Sequence, residues 1–427
     1  MKRFINPDKS TWKSLTKRSS ASYDSLEPLA KSIFKKVEKE GDIAIRGYTL
    51  KYDKVQLKSN IVSSDEISTA AQRIPKKLKI AIQKAKNNIE VFHKAQITST
   101  VQVETQPGVS CWQKKLPIEK VGLYIPGGSA PLFSTVLMLA VPAKIAGCNK
   151  LILCSPPDNK GMLPDVILYT ANLCGVDYIF KVGGMQAIAG MTLGTESIPK
   201  ADKIFGPGNQ FVTVAKQLAT KYQVSIDMPA GPSELMVVAD KTGNPDFIAS
   251  DLLSQAEHGP DSQVILVTNN IKIADTTFEK ISEQLENLER KVTAQKALNN
   301  SKVICFDNDK DMLEFVNLYG AEHLIVCLEN ETEFVDLIKH AGSVFIGNYT
   351  PESAGDYASG TNHTLPTNGY VRQYSGVNLD SFLKAITYQK ITANGLVDLG
   401  PVVEEMAAAE GLEAHKNAVS IRLKTLK

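Results

Sequence analysis

The sequence predicts an α/β protein made of two tandem Rossmann-like units, doubly wound and mostly parallel, with a helical amino-terminal segment and a helical carboxy-terminal tail. Two observations predict it. From Val121 onward, short apolar runs alternate with longer amphipathic ones, as strands joined by crossover helices do. The apolar runs then begin a second series at Ser233, which makes two units of the same kind.

In the first series VGLYIP, KLILCS, DYIFKV and KIFG read as strands, and 135–147, 164–174, 186–194 and 211–220 as the helices between them. In the second, SELMVVAD, SQVILVT, KVICF, HLIVCL and SVFIGN read as strands, separated by helical patterns such as 274–288. Residues 1–120 look mainly helical and Lys-rich. A Gly/Ser/Asn-rich loop spans 351–378, and a largely helical tail follows from 379. The expected division is an extension over 1–22, one domain over 23–120 with 235–377, another over 121–234, and a tail over 378–427.

The bulk numbers set the class. A chain of 427 residues should hold two or more domains. With 43% hydrophobic and 22% charged residues it reads as globular. A net charge of +2 gives no field that calls for nucleic acid or an acidic membrane. The basic amino terminus lacks the apolar core of a secretory signal. The most apolar stretch, 130–147, is broken by Ser134, Thr135, Pro142 and Lys144, and so reads as a buried helix, not a membrane span. Cys111, Cys148, Cys154, Cys174, Cys305 and Cys327 form no CxxC pair and mostly sit in apolar runs. That pattern suits reduced, buried thiols in a cytoplasmic protein.

Six histidines are spread along the chain. His93, on a Lys-rich helical pattern, and His340, near a helix end, read as surface residues. His258, His323, His363 and His415 sit in polar, Gly/Ala-rich or acidic surroundings. Gln255 and His258 are three apart on the helical pattern 247–258, which Gly259-Pro260 ends, so both lie on one face beside a helix terminus. Asp356, in ESAGDYASG, is either an ordinary turn aspartate or a hard oxygen ligand. His415, among Glu410, Glu413 and Lys416, is either on a solvated helix face or a ligand. Two imidazoles, a carboxylate and an amide oxygen would suit zinc and leave room for substrate. Glu322-His323 follows Tyr319-Gly320 and enters a strand. The pair is either a salt-bridged loop or a base beside a water-activating acid.

No GxGxxG occurs. The nearest stretch is GPGNQF at 206–211, with Phe211 where a third glycine would stand. Gly127-Gly128 and Gly183-Gly184 follow two other strands, at the carboxyl ends where such sheets take ligands.

The segments VGLYIPGGSAPLFSTVLMLAVPAKIAG, VGGMQAIAGMTLGT, KIFGPGNQFVTVAK, SIDMPAGPSE, LLSQAEHG, YGAEHLIV, SGTNHTLPT and EGLEAHKNA resemble the histidinol dehydrogenase family in order and wording. The likeness runs from about Val121 to the end and is looser before it. It implies an oxidation of L-histidinol to L-histidine, by way of L-histidinal, with one zinc per chain and two NAD in succession. It implies zinc ligation by Gln255, His258, Asp356 and His415, and a catalytic pair, Glu322 and His323. Ser233, Glu410 and His323, with the metal ligands, would line the substrate site. Tyr124, Gln186 and Asn209 would touch NAD, and His363 would lie near the substrate. Residues 121–234 would then bind NAD, and 23–120 with 235–377 would carry zinc and substrate. The tail would join an intertwined homodimer, with Glu410 and His415 reaching the partner's site.

One departure is Ala321, where the family usually has proline, a residue that would stiffen the loop. The chemistry implied is removal of the alcohol proton by His323, then activation of water by Glu322. A thiol adduct at Cys111 or Cys148 is the other route to an acid. A paralogue oxidising another small alcohol would differ at Ser233, Glu322 or Glu410. A non-catalytic binding protein would have lost the Glu-His pair or a ligand. This chain keeps them all.

Overall fold

Strand Glu234–Ala239 is buried at every residue, as the middle of a sheet covered on both faces requires. It lies in a six-stranded parallel sheet whose order is Lys2–Ile5, Lys302–Cys305, Gln263–Thr268, Glu234–Ala239, Ala321–Cys327 and Ala341–Ile346. The pleat divides its apolar residues between two layers. Leu235, Val237, Leu266, Ile325 and Cys327 pack beneath helices Pro245–Ala256 and Ile271–Glu286. Met236, Val238, Ile265, Leu324 and Val326 pack on the other face with Trp12 and helix Asp309–Tyr319. The structure, a computed structural model, describes residues 1–18, 23–127 and 130–426; Gly128 and residues 19–22 of the expected extension lie outside them.

The second parallel sheet has five strands in the order Tyr178–Lys181, Lys150–Ser155, Lys120–Tyr124, Lys203–Phe205 and Ser225–Ile226. Its crossover helices are Phe133–Ala146, Asp165–Leu173, Gly184–Leu193 and Gln210–Ala219. The chain runs outward from Lys120–Tyr124 on one side and returns on the other, so a switch point opens beside Tyr124 and Phe205. The two tandem parallel units expected from the sequence are therefore present.

The packing around them departs from expectation in three places. Residues 2–5 form an edge strand, not part of a helical segment. Helices Glu27–Glu40 and Asp42–Tyr52 bury Ile33, Phe34, Val37 and Ile45 in the same core as Ile152, Phe180 and Ile188, and so cover the second sheet instead of the first. Residues 97–117 leave the α/β body altogether: with 382–427 they form a compact unit of their own. There Val101–Gln106, Val109–Pro117 and Leu383–Ile391 make an antiparallel sheet, followed by helices Ala393–Ala409 and Glu413–Lys424. The tail thus holds a strand, Leu383–Ile391, ahead of its two α-helices. No helix among the described residues is long and apolar enough to cross a membrane.

Candidate active site

Glu322 and His323 enter strand Ala321–Cys327 at its amino end, 6% and 3% exposed. Ala321 is already in register with Ala341, so the sheet itself fixes the backbone there. His323 shares the pleat direction of Ile325 and Cys327, toward the layer that holds helix Pro245–Ala256. Gln255, fully buried in the last turn of that helix, brings its Nε2 to 3.2 Å from His323 Nδ1. The same Nδ1 lies 3.3 Å from the Glu234 carbonyl and 3.6 Å from Glu322 Oε2. Nδ1 is thus met by the Gln255 amide, the Glu234 carbonyl and the Glu322 carboxylate, while Nε2 faces the pocket. Nε2 has no hydrogen bond among the described residues, and faces Asp356 Oδ1 at 3.5 Å and Glu352 Oε1 at 3.9 Å.

Burial works against charge on His323, but Glu322, Asp356 and Glu352 outweigh it and raise its pKa well above the ordinary imidazole value. Burial also raises the pKa of Glu322, against the pull of His323. Glu322 Oε2 accepts from the Glu234 N–H at 2.8 Å. The Glu234 side chain is itself neutralised, because Arg18 donates to both its oxygens at 2.6 and 2.9 Å. Arg18 also donates to the Tyr319 and Gly320 carbonyls and covers the Tyr319 ring at 4.0 Å. The turn into the Glu-His pair is thereby tied down from the amino-terminal segment.

Asp356 lies on a short helix, Glu352–Tyr357, and not in the loop that the sequence suggested. His363 fastens it. Its Nδ1 donates to the Asp356 carbonyl at 2.8 Å, so Nε2 accepts from Thr135 Oγ1 at 3.1 Å, at the start of helix Phe133–Ala146. His258 lies two residues past helix Pro245–Ala256, in a turn, so it does not continue the face of Gln255. It is exposed but near enough for Asp356, His323 and His363 to act on its charge. Ser233 is half-buried just ahead of strand Glu234–Ala239. Glu410 and His415 belong to the second unit and are exposed there.

Sequence reading missed Glu352, which is 1% exposed and four residues from Asp356. The i, i+4 spacing was a usable signal once ESAGDY is taken as a helix. His93, expected on the surface, is fully buried, on the stripe of Ile82, Ala85 and Ile89. Burial pushes the Cys148 thiol up to about 11, which disfavours a thiolate nucleophile.

The other residues that the sequence singles out lie at the carboxyl ends of the second sheet. Tyr124 is 4% exposed, and burial pushes its phenol up to about 12. Its hydroxyl accepts from the Gly184 N–H at 3.1 Å. Gln186 is buried in the first turn of helix Gly184–Leu193. Asn209 caps helix Gln210–Ala219 through the Phe211 and Val212 N–H groups. Both helices thus begin at the carboxyl ends of sheet strands, with the Gly184, Phe211 and Val212 N–H groups already met by side chains. The glycine turn before Asn209 is held from within. Lys216, 2% exposed, donates to the Gly206 carbonyl at 2.7 Å and pairs with Asp227, whose Oδ2 accepts from the Gly206 N–H at 2.8 Å. Gly206 has no room for a side chain, since a Cβ would sit 2.1 Å from the Tyr124 carbonyl oxygen. Asp227→Ala leaves Lys216 buried without its counter-charge and should cost ~3–5 kcal/mol in urea unfolding. A loss under ~1 kcal/mol would mean that water reaches the lysine.

Comparison with known proteins identifies the family. The family profile described as histidinol dehydrogenase matches residues 16–423. A histidinol dehydrogenase of Bacteroides thetaiotaomicron is 56% identical over 427 residues, all of both chains. One from Escherichia coli O6:H1 is 53% identical over 406 residues, 95% of this chain and 93% of its own. The crystal structure of histidinol dehydrogenase from Elizabethkingia anophelis superposes with a TM-score of 0.98 at 54% identity, covering 100% of this chain and 98% of that one. Matched along its whole length at more than half identity, the chain belongs to the histidinol dehydrogenase family.

Proposed function

We propose that the chain oxidises L-histidinol to L-histidine through L-histidinal, reducing two NAD, at a zinc-holding site on the amino ends of the larger sheet. The observation that carries this reading is the convergence of buried polar atoms that have no hydrogen bond among the described residues: Gln255 Oε1, His323 Nε2, Glu352 Oε1 and Asp356 Oδ1. Such atoms are costly to bury unless a ligand meets them. An amide oxygen, imidazole nitrogens and a carboxylate are donors that zinc accepts. Gln255, His258, Asp356 and His415 would hold the ion, and Tyr124, Gln186 and Asn209 would line the NAD crevice. When bound, zinc supplies a Lewis acid that orients the substrate's amine and imidazole, and NAD supplies the hydride acceptor.

The rest falls to the chain. His323 Nε2 takes the hydroxyl proton in the first oxidation. The carboxylate charge that raises its pKa is the charge a dication would offset, leaving the ring free to act as a base. Glu322 takes a proton from water in the second, making the nucleophile that turns the aldehyde into an acid. Ser233 and Glu410 flank the substrate, and His363 keeps Asp356 in place. Since Glu410 and His415 sit on the second unit, we assign them to the site of a second copy in a homodimer that works in the cytoplasm. Zinc-loaded chain, given L-histidinol and NAD, should form two NADH per L-histidine. Absence of turnover, or one NADH with histidinal as end product, would overturn the reading.

A further inference from the structure

Arg18 has no task in the chemistry above, yet its side chain, 15% exposed, closes a ring behind the Glu-His pair. Nε and Nη2 donate to the two Glu234 carboxylate oxygens at 2.6 and 2.9 Å, and Nη2 also reaches the Tyr319 and Gly320 carbonyls at 2.9 and 3.0 Å. One guanidinium thus spans the starts of two paired strands, Glu234–Ala239 and Ala321–Cys327. Glu234 in turn meets both members of the pair through its own backbone. Its N–H donates to Glu322 Oε2 at 2.8 Å, and its carbonyl lies 3.3 Å from His323 Nδ1. The Glu234 side chain is 3% exposed. Besides Arg18, its Oε1 accepts from the Asn368 N–H at 2.7 Å. Among the described residues, Arg18 is the cation that pairs with it.

We infer that Arg18 is a positioning residue for Glu322 and His323, acting through Glu234. The inference rests on the proposed function for the roles of the pair and extends it to what aims them. A carboxylate buried this deeply is strongly unfavourable once its counter-charge is gone. Without Arg18 it would turn toward water, and the first residue of strand Glu234–Ala239 would move with it. The N–H and the carbonyl that meet Glu322 and His323 belong to that residue, so both side chains would lose their alignment. Arginine suits the post because its planar fork meets both oxygens of a carboxylate and keeps a donor for the carbonyls. A bidentate pair elsewhere in a core would bear on stability alone. This one pins the residue whose backbone meets both groups of the pair.

The test compares zinc-loaded wild type with Arg18→Gln, Arg18→Lys and the double variant Arg18→Gln/Glu234→Gln. In single-turnover mixing with L-histidinol and NAD, Arg18→Gln should slow both hydride transfers roughly 10- to 100-fold, the scale set by misplacing catalytic groups by about an ångström. KM for L-histidinol and zinc content should hold. The double variant removes the stranded charge and should return both rates to within a few-fold of wild type. Arg18→Lys keeps the charge without the fork, so its rates should fall between those of Arg18→Gln and wild type. Crystal structures should show the 2.8 Å bond from the Glu234 N–H to Glu322 broken in Arg18→Gln and kept in the double variant. Wild-type rates in Arg18→Gln, or in Arg18→Lys should Arg18→Gln fail to fold, would make the ion pair merely structural and overturn the inference. So would a double variant that recovers nothing, which would place the effect at the Tyr319 and Gly320 carbonyls. A wild-type chain that makes no NADH from L-histidinol would sink the proposed function instead, and the two crystal structures would still decide the role of Arg18.

Discussion

Glu322→Gln should leave the first hydride transfer near its normal rate and slow the second by ~10²–10⁴-fold, the usual effect of removing a general base. The glutamine keeps an oxygen for the Glu234 N–H that Glu322 Oε2 now accepts at 2.8 Å, so the loop should hold its shape. It cannot take a proton from water, which only the aldehyde step needs. In single-turnover mixing, the first NADH should appear at a normal rate and the second late, with histidinal detectable between them. His323→Asn should slow the first transfer as well, because it removes Nε2, the ring nitrogen that faces the pocket. Equal loss of both transfers in Glu322→Gln, with zinc retained, would make Glu322 an orienting partner of His323 and not a base in its own right.

The parallel strands were legible because a strand covered on both faces must be apolar throughout. SELMVVAD and HLIVCL have no polar face to obscure the signal. Strand Leu383–Ile391 was read as helical because its residues are exposed or half-buried, so neither face carries an apolar stripe. Lys2–Ile5 is four residues at a sheet edge, too short for periodicity to register. In the site, the types of Gln255, His258, Glu322, His323 and Asp356 drew attention, and the family likeness implied their roles. The meeting of Gln255, His323 and Asp356 depends on a helix end, a strand start and a short helix that no local pattern ties together. Glu352 was lost with the misreading of its six-residue helix as loop. His93 was misjudged because its lysine neighbours were weighed above its spacing from Ile82, Ala85 and Ile89.

Removing the metal should abolish activity. A chelator should strip about one zinc per chain, and added zinc should restore turnover, since the ligands act only as a set. His258→Ala and His415→Ala chains should each be zinc-poor and inactive. Gln255 and Asp356 lie in the first unit and His415 in the second, so the sharing of a site between copies can be tested directly. If the two variants are unfolded together and reassembled in equal amounts, mixed dimers carry one site with both defects and one with neither. Random pairing should then recover about a quarter of wild-type activity. Proven mixed dimers without recovery would mean that each site is completed by its own chain.

The surplus of carboxylates around His323 also bears on how a finished molecule departs. On the proposed reaction the neutral hydroxymethyl group of the substrate becomes a carboxylate beside Glu322, Glu352 and Asp356. Like charges at such range in a dry pocket repel strongly. The oxidation thus builds its own eviction force, which favours fast release of the amino acid and weak inhibition by it.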